Sequence, residues 1–212
     1  MSTPGDDGWL ATGTADASDV AAYYDGWAAS YDGDLGTWNY QAPRFVADLI
    51  AEHCSDASGV LDAGCGTGLA GRALRSNGHA GTLVGVDLSA TSLEVAGRDG
   101  TYTALGRCDL QRPLPFDDDS FDALMCVGVM TYVPDVEACW REFARVVRPN
   151  GIVVATQRED LWRERDTAHV VDRLERDGTW QPALVSGPQP YLPDHDDFAD
   201  RIGVHYVAAF VS

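Results

Sequence analysis

The sequence predicts an α/β protein with a doubly wound, mostly parallel sheet and helices on both of its faces. From Gly59 onward, short apolar stretches typical of strands alternate with stretches whose apolar residues recur every three or four positions, as on one face of a helix. Within this alternation, residues 121–127 form a continuous apolar run of the kind that is buried on both sides in a parallel sheet.

Each element can be placed along the chain from this alternation and from capping and turn residues. Seven strands are predicted, at residues 60–62, 82–87, 102–107, 121–127, 152–156, 180–185 and 204–211. Helices are predicted from a cap at Ser18 or Asp19 to Ala29, and then over residues 42–53, 69–77, 90–97, 136–147 and 159–176. Residues 1–18 are expected to form a flexible arm and residues 19–212 a single domain, with helices over 19–55 and the sheet core over 59–212.

Composition narrows the classes of function. The 212 residues include 33 acidic and 15 basic side chains, for a formal charge of -18, and every basic residue is arginine. Such a surface repels polyphosphate, which disfavours a nucleic-acid-binding protein, whereas a cationic ligand is attracted to it. The absence of lysine is typical both of a salt-adapted host and of a high-GC genome.

The chain is also expected to be cytoplasmic. No apolar stretch approaches the ~20 residues that a membrane span requires, and the N-terminus has none of the features of a signal peptide. Five well-separated cysteines without a C-x-x-C pair predict buried thiols in a reducing compartment, with neither disulfides nor a metal site.

The first predicted strand runs into a glycine-rich loop, Gly64-Cys65-Gly66-Thr67-Gly68. Ligands of open α/β sheets bind outside the carboxyl ends of the strands, beside this first turn. Dinucleotide-binding loops follow G-x-G-x-x-G, but the third glycine of that pattern would fall at Leu69 here. Asp62, just before the loop, would repel a pyrophosphate and suits a ligand that carries ammonium and sulfonium groups.

Acidic residues also end the next two predicted strands. Asp87 lies about 20 residues beyond the loop, where a carboxylate can accept hydrogen bonds from both ribose hydroxyls. Asp109 follows the third strand and is placed to meet an adenine edge. Together with Asp62 and the loop, these positions favour an adenosyl ligand over a dinucleotide.

Four segments in this order resemble the class I S-adenosylmethionine-dependent methyltransferases: VLDAGCGTG (60–68), VGVDLS (84–89), LPFDDDSFD (114–122) and VRPNG (147–151). The segments YDGWAASYD (24–32) and YQAPR (40–44) are similar to one branch, the Williams–Beuren-syndrome-region methyltransferase-like proteins. The resemblance implies a Rossmann-like, seven-stranded, mostly parallel sheet with an antiparallel last strand, and S-adenosylmethionine as the cofactor. At Asn150 a glycine is commoner, which affects only a turn.

The same resemblance implies roles for individual residues. The loop residues that would line the methionine and ribose are Gly64, Cys65, Gly66 and Gly68. Asp87 would hold the ribose hydroxyls, and Leu88 would lie against the adenine. Residues after the third and fourth strands would complete the pocket, with Asp109 and Leu110 at the adenine amine and Cys126 and Val127 at the methionine end. Trp27 and Tyr31 would lie on a helix folded over the site, where an aromatic face can meet the sulfonium.

The acceptor side has no comparable motif. Methyl transfer from a sulfonium is an in-line displacement, so the enzyme mainly supplies proximity, alignment and a dry site. A general base is needed only for a hydroxyl or a protonated amine. The candidates are Tyr31, Asp32, Tyr132, His169, Tyr191 and His195, and of these Tyr31, Tyr132 and His195 are retained. Tyr132 could equally be a packing residue, and His195 lies in an acidic run that favours an exposed loop.

Three functions of different classes remain open. The first is a methyltransferase that acts on a small molecule at an undetermined O, N or C atom, as a monomer or homodimer. The second is an NAD(P)-dependent oxidoreductase, against which Asp62 and the glycine spacing argue. The third is a non-catalytic protein that binds S-adenosylmethionine or S-adenosylhomocysteine. A protein or nucleic acid acceptor is a variant of the first that the negative charge disfavours.

Overall fold

The computed structural model describes residues 9–10, 14–199 and 201–212. In this part of the chain, the strands are β1 (Gly59–Ala63), β2 (Thr82–Asp87), β3 (Ala104–Arg107), β4 (Phe121–Cys126), β5 (Val147–Arg158), β6 (Trp180–Val185), β7 (Gln189–Pro190) and β8 (Gly203–Val211). The helices are α1 (Ala17–Trp27), α2 (Tyr31–Thr37), α3 (Ala42–His53), α4 (Leu69–Ser76), α5 (Ala90–Ala96), α6 (Val136–Val146), α7 (Glu159–Glu164) and α8 (Thr167–Arg176). A 3₁₀ turn covers Met130–Tyr132.

All of the strands belong to one sheet, in the order β3-β2-β1-β4-β5-β8-β6, and the two-residue strand β7 pairs with β8 outside this path. The strands β1 to β5 are parallel, whereas β8 is antiparallel to β5 and β6. The strands are added towards one edge of the sheet from β1 to β3 and towards the other edge from β4 onward. The boundary between β1 and β4 is therefore the switch point where ligand crevices form in such sheets. The predicted mostly parallel sheet with an antiparallel last strand is confirmed.

Helices cover both faces of the sheet and bury one apolar layer on each. Because successive side chains of a strand point to opposite faces, neighbouring residues of β1 enter different layers. Leu61 lies in the layer that contains Trp140 and Phe143 of α6, and Val60 lies in the layer that contains Ile50 of α3. These two layers fix the strands, so the carboxyl ends of the parallel strands form a defined edge.

The beginning of α1 differs from the prediction. The carboxylate of Asp16 accepts hydrogen bonds from the backbone N–H groups of Ser18 (2.9 Å) and Asp19 (3.1 Å), so Asp16 is the N-cap. The predicted cap at Ser18 or Asp19 is therefore wrong. The helix ends at Trp27, and the short helix α2, which was not predicted, follows it.

Two later elements also differ. The helix predicted over residues 159–176 is two helices, because Asp166 has a φ of +50° that interrupts the right-handed helix between α7 and α8. The strand β5 is longer than the predicted 152–156 and includes the predicted turn. Its pairing with β4 shifts register between Phe121 and Ala123, while Asn150 has a φ of +64°, as at a β-bulge.

Part of the predicted N-terminal arm is packed on the domain. Trp9 stacks on Tyr23 of α1 with ring centroids 4.5 Å apart, and Leu10 is buried in a cluster with Trp27 and Leu35. The rest of the arm before residue 14 lies outside the described residues. No helix in the described part of the chain is long and apolar enough to cross a membrane, and all five cysteines are buried and unpaired.

We expect added salt to stabilise the fold, because the formal charge of -18 makes the folded chain repel itself and counter-ions screen that repulsion. The melting temperature should rise by several degrees between 0.05 and 1 M NaCl, at about 2–4 °C per kcal/mol in a chain of this size. Differential scanning calorimetry would measure this rise, with sucrose of equal osmolality as the uncharged control. A melting temperature that does not respond to NaCl would contradict the expectation.

One carboxylate at the other end of the sheet holds the start of β1 to the start of β4. Asp122 Oδ2 accepts hydrogen bonds from Ser58 N (2.7 Å), Ser58 Oγ (2.8 Å) and Gly59 N (2.8 Å), and its Oδ1 accepts one from Arg148. Burial alone would raise the pKa of Asp122, but the hydrogen bonds from Ser58, Arg148 and Gly59 outweigh it and hold this pKa well below its usual value.

Asp122→Asn should therefore lower the free energy of unfolding by about 1–3 kcal/mol at pH 7. A carboxylate with a lowered folded-state pKa stabilises the fold above its unfolded pKa of ~4, and this contribution is lost as the pH falls through the folded value. Urea unfolding at pH 7, 4 and 2.5 should show the difference from the unsubstituted chain shrinking below pH 4. Asp117→Asn, an equal charge change in an exposed turn, serves as the control, and equal losses in the two variants would refute this role.

Candidate functional site

The glycine loop follows β1 with a backbone that only glycine adopts readily. Gly64, Gly66 and Gly68 have φ values of +81°, +53° and +100°. At Gly64 the space is limited too, since an added Cβ would lie 2.2 Å from Cγ2 of Val129. The loop can therefore pass close to the loop after β4 and present its backbone at the carboxyl edge of the sheet.

Asp87, the last residue of β2, fixes this loop. Its Oδ2 accepts a hydrogen bond from Gly66 N and its Oδ1 accepts one from Ser89 N, both at 2.8 Å. Burial raises the pKa of Asp87, although these backbone N–H groups oppose the rise. Each carboxylate oxygen has two acceptor sites, so both oxygens keep the capacity to accept a further hydrogen bond from a ligand.

Asp62 lies beneath the loop and does not open into the site. Its Oδ2 accepts a hydrogen bond from the Tyr102 hydroxyl at 2.6 Å, whereas Oδ1 is buried and has no hydrogen-bond partner in the structure. The side chain is 1% exposed, and burial raises its pKa to about 7. The predicted carboxyl group of Asp62 therefore lies behind the glycine loop and not in the cavity.

A cavity of about 680 Å³, part of it open to solvent, lies along the carboxyl ends of β1, β2, β3 and β4. Of the residues predicted for the site, those that line it are Tyr31, Gly64, Gly66, Asp87, Leu88, Asp109, Leu110, Val127 and Tyr132. The structure thus brings together residues from the loops after four different strands and from the N-terminal helices.

Six other predicted residues do not line this cavity: Trp27, Asp62, Cys65, Gly68, Cys126 and His195. Trp27 is 1% exposed and lies behind Tyr31, edge-to-face at 4.7 Å, where its indole N–H donates to Asp34 at 2.6 Å. Cys65 of the glycine loop and Cys126 at the end of β4 are both buried. Trp27, Cys65 and Cys126 thus lie behind the residues that form the wall of the cavity.

His195 is also away from the cavity. It is buried between Trp38 and Phe198, at ring-centroid distances of 4.5 and 4.8 Å, and its Nδ1 accepts the backbone N–H of Asp197 at 3.1 Å. The expectation of an exposed loop position is therefore wrong, because two aromatic rings enclose the imidazole. This packing makes His195 part of the core beneath α2.

Helix α1 and its continuation are tied to the loops after the first two strands. The carboxylate of Asp25 accepts hydrogen bonds from the Ser89 hydroxyl (2.6 Å) and the Thr91 backbone N–H (3.0 Å), both after β2. Asp32 in α2 accepts a hydrogen bond from the hydroxyl of Thr67 in the glycine loop and pairs with Arg72 of α4. The N-terminal helices therefore form a roof over the cavity.

The roof is held at the later strands as well. The side-chain amide of Gln111, after β3, donates to the backbone carbonyl of Ala15 at 2.7 Å. Arg158, the last residue of β5, is 4% exposed and donates to the carbonyl of Leu10. Polar contacts from residues 10–32 thus reach the loops or ends of β1, β2, β3 and β5.

The roof meets the loop after β4 through a pair of tyrosines. The hydroxyls of Tyr24 in α1 and Tyr132 are 2.8 Å apart, and both side chains line the cavity. Burial raises the pKa values of Tyr24, Tyr31 and Tyr132, so all three stay protonated near neutral pH. They can donate hydrogen bonds and present aromatic faces, but they are poor proton acceptors.

Sequence reasoning missed several residues of the lining: Val20, Tyr24, Thr67, Ser92, Gln111, Gly128, Val129 and Val133. A usable signal existed for Tyr24, which lies three residues before Trp27 and seven before Tyr31, and for Gly128, which directly follows the fourth strand. For Ser92, in the first turn of α5, and for Gln111 no local signal exists, because their position depends on how the loops fold back.

No group of three or more His, Cys, Asp or Glu side chains that could hold a metal ion occurs among the residues that the structure describes. The polar groups at the cavity are instead two carboxylates, hydroxyls and backbone groups of the glycine loop. Such a set can bind a ligand that offers hydroxyls and positive charge.

Comparison with known proteins identifies the family of this chain. Residues 61–155 match the family model described as a methyltransferase domain. The chain is 34% identical over 192 residues to human methyltransferase-like protein 27, covering 84% of this chain and 74% of that protein. It is also 33% identical over 114 residues to the ubiquinone biosynthesis O-methyltransferase of Chromobacterium violaceum, a match that covers 50% of this chain and 47% of that one.

Solved structures share the fold at lower sequence identity. The putative methyltransferase in complex with the Trm112 activator from Haloferax volcanii aligns with a TM-score of 0.67 at 20% identity, covering 91% of this chain and 97% of that one. Geranyl diphosphate C-methyltransferase from Streptomyces coelicolor, whose structure contains S-adenosyl-L-homocysteine, aligns with a TM-score of 0.60 at 19% identity, covering 78% of each chain. This chain therefore belongs to the S-adenosylmethionine-dependent methyltransferases, in the branch of methyltransferase-like protein 27.

Proposed function

We propose that this methyltransferase acts on a small molecule, which it binds between the cofactor and the tyrosine-lined roof. The observation that carries the proposal is the enclosure of the cavity: the roof is tied to the loops after β1 to β4 and to the end of β5, over a space of about 680 Å³. A cavity covered in this way suits a small acceptor better than a side chain presented by a folded protein.

The residues present fit the cofactor. In our proposal the backbone of Gly64 and Gly66 lies along the methionine and ribose, and Asp87 accepts hydrogen bonds from the ribose hydroxyls while it keeps those from Gly66 and Ser89. Leu88, Asp109 and Leu110 form the adenine end. When bound, S-adenosylmethionine supplies a methyl group on a positively charged sulfur. A nucleophile can attack that methyl carbon in line, with the sulfur as the leaving group.

The chain's contribution to that displacement is alignment and exclusion of water. The three tyrosines at the cavity hold their protons, and the two carboxylates, Asp87 and Asp109, lie at the ends of β2 and β3. All five histidines are among the described residues, and none of them lines the cavity. A histidine of the described chain is therefore not the base for an acceptor proton, where one must be lost.

The relatives act on compounds of several kinds. The names of two of them specify ubiquinone biosynthesis and geranyl diphosphate, which supports a small acceptor here. The Haloferax volcanii neighbour forms a complex with an activator protein, so a protein partner is compatible with this fold. Our proposal concerns the acceptor and leaves room for such a partner.

Asp87→Ala should weaken the binding of S-adenosylmethionine about 5- to 150-fold, because a charged hydrogen-bond acceptor worth about 1–3 kcal/mol is lost. Isothermal titration calorimetry would measure the change. The matched control is Asp117→Ala, which removes the same charge from an exposed turn and should leave the affinity unchanged. Equal affinities in all three proteins would refute the ribose-binding role of Asp87.

The nature of the acceptor can be tested with methyl-labelled S-adenosylmethionine and a cell extract separated into small molecules and macromolecules. We expect the label to appear in the small-molecule fraction, with Asp87→Ala reducing the rate and Asp117→Ala not. Label confined to protein or nucleic acid would overturn the small-molecule proposal.

A further inference from the structure

The buried carboxyl of Asp62 is an unusual group to find directly beneath a ligand-binding loop. It is 1% exposed, one oxygen accepts a hydrogen bond from the Tyr102 hydroxyl at 2.6 Å, and the other has no partner within hydrogen-bond distance. The backbone N–H of Gly71 lowers the pKa of Asp62 as well, but this is the smallest of the effects on it. Gly64, two residues later, lines the cavity. Because an unpaired buried charge is costly, such a carboxyl either binds a proton or needs a nearby positive charge.

Among the residues that the structure describes, the groups that act on Asp62 include no compensating cation. They come from five elements or loops: Tyr102 before β3, Asp87 of β2, Cys65 of the glycine loop, Cys126 of β4 and the backbone N–H of Gly71 in α4. Arg72 of α4 acts electrostatically on Tyr102, and its guanidinium is paired with the carboxylate of Asp32. Burial accordingly raises the pKa of Asp62 to about 7, and the carboxyl is largely protonated below that pH.

We propose that Asp62 releases its proton when the positively charged sulfonium binds above the loop and regains it when methyl transfer leaves an uncharged thioether there. Asp62 would then be a specificity-determining residue that favours S-adenosylmethionine over S-adenosylhomocysteine. The inference rests on the proposed cofactor site.

The charge changes balance at each stage. Binding of the sulfonium ligand brings one positive charge at sulfur, and Asp62 loses a proton to water, which leaves a carboxylate to offset that charge. In the transfer, the bond between sulfur and the methyl carbon breaks with its electron pair staying on sulfur, and the acceptor's lone pair forms the new bond. The positive charge leaves the sulfur, so the carboxylate takes a proton back from water and the product loses an electrostatic contact that the donor had.

The first test is the pH dependence of binding. If Asp62 binds a proton in the free protein but not in the complex, the affinity for S-adenosylmethionine should rise roughly tenfold between pH 5.5 and 7.0. The ligand's own amino group titrates near pH 8 and does not contribute in this range. Binding of S-adenosylhomocysteine should depend less on pH, and in Asp62→Asn binding of both ligands should be nearly independent of pH.

The second test counts protons directly. Titration calorimetry at pH 6.5 in phosphate and in imidazole, which differ in ionisation enthalpy, should show release of about 0.7 proton per S-adenosylmethionine bound. Asp62→Asn should abolish this release. Tyr102→Phe removes the hydrogen bond that stabilises the carboxylate, so the pH dependence should move to higher pH, and this variant tests the proposal even if Asp62→Asn does not fold.

Three results would overturn the inference. Binding of S-adenosylmethionine without proton release in the unsubstituted protein refutes it and leaves the proposed function intact. Undiminished proton release in folded Asp62→Asn assigns the proton to another group. If S-adenosylmethionine does not bind at any pH, the proposed function itself fails, and the inference fails with it.

Discussion

The site depends first on the carboxylate of Asp87, which holds two loops in one place. By accepting the N–H groups of Gly66 and Ser89, it joins the turn after β1 to the turn after β2. The glycine loop carries three positive φ values in five residues, and this contact helps to fix its course. The parallel arrangement makes such a contact possible, because it gathers the carboxyl ends of β1 and β2 at one edge of the sheet.

The N-terminal helices turn this edge into an enclosed cavity. They contribute little to the sheet, yet their polar side chains and carbonyls meet each loop in turn, from Asp32 at the glycine loop to the carbonyl of Leu10 at Arg158. Several of the contacts are single hydrogen bonds, each worth about 1 kcal/mol or less where solvent can compete, whereas Asp25 accepts two and Asp32 is paired with Arg72.

Charge acts on two scales in this protein. Over the whole surface, the formal charge of -18 attracts cations and repels polyphosphates. Inside the fold, two carboxylates have different surroundings: Asp122 accepts hydrogen bonds from Ser58, Gly59 and Arg148, which keep it ionised, whereas Asp62 has the Tyr102 hydroxyl and a weaker contribution from the Gly71 N–H. Burial disfavours the charged form in both cases, and Asp62 is the more deeply buried of the two.

The sequence by itself determined the sheet, the loop and the ligand class. Strand periodicity placed β1 to β6 and β8, and the spacing of Gly64, Gly66, Asp87 and Asp109 indicated an adenosyl ligand, because these signals are local and each strand end lies at the same edge. Only the tertiary structure decided which residues face the cavity. It moved Trp27 and His195 into the core, placed Asp62 behind the loop, and brought Tyr24 to Tyr132 across 108 positions of sequence. Contacts of that kind depend on how the N-terminal helices dock on the finished sheet, and no pattern within a single segment contains that information.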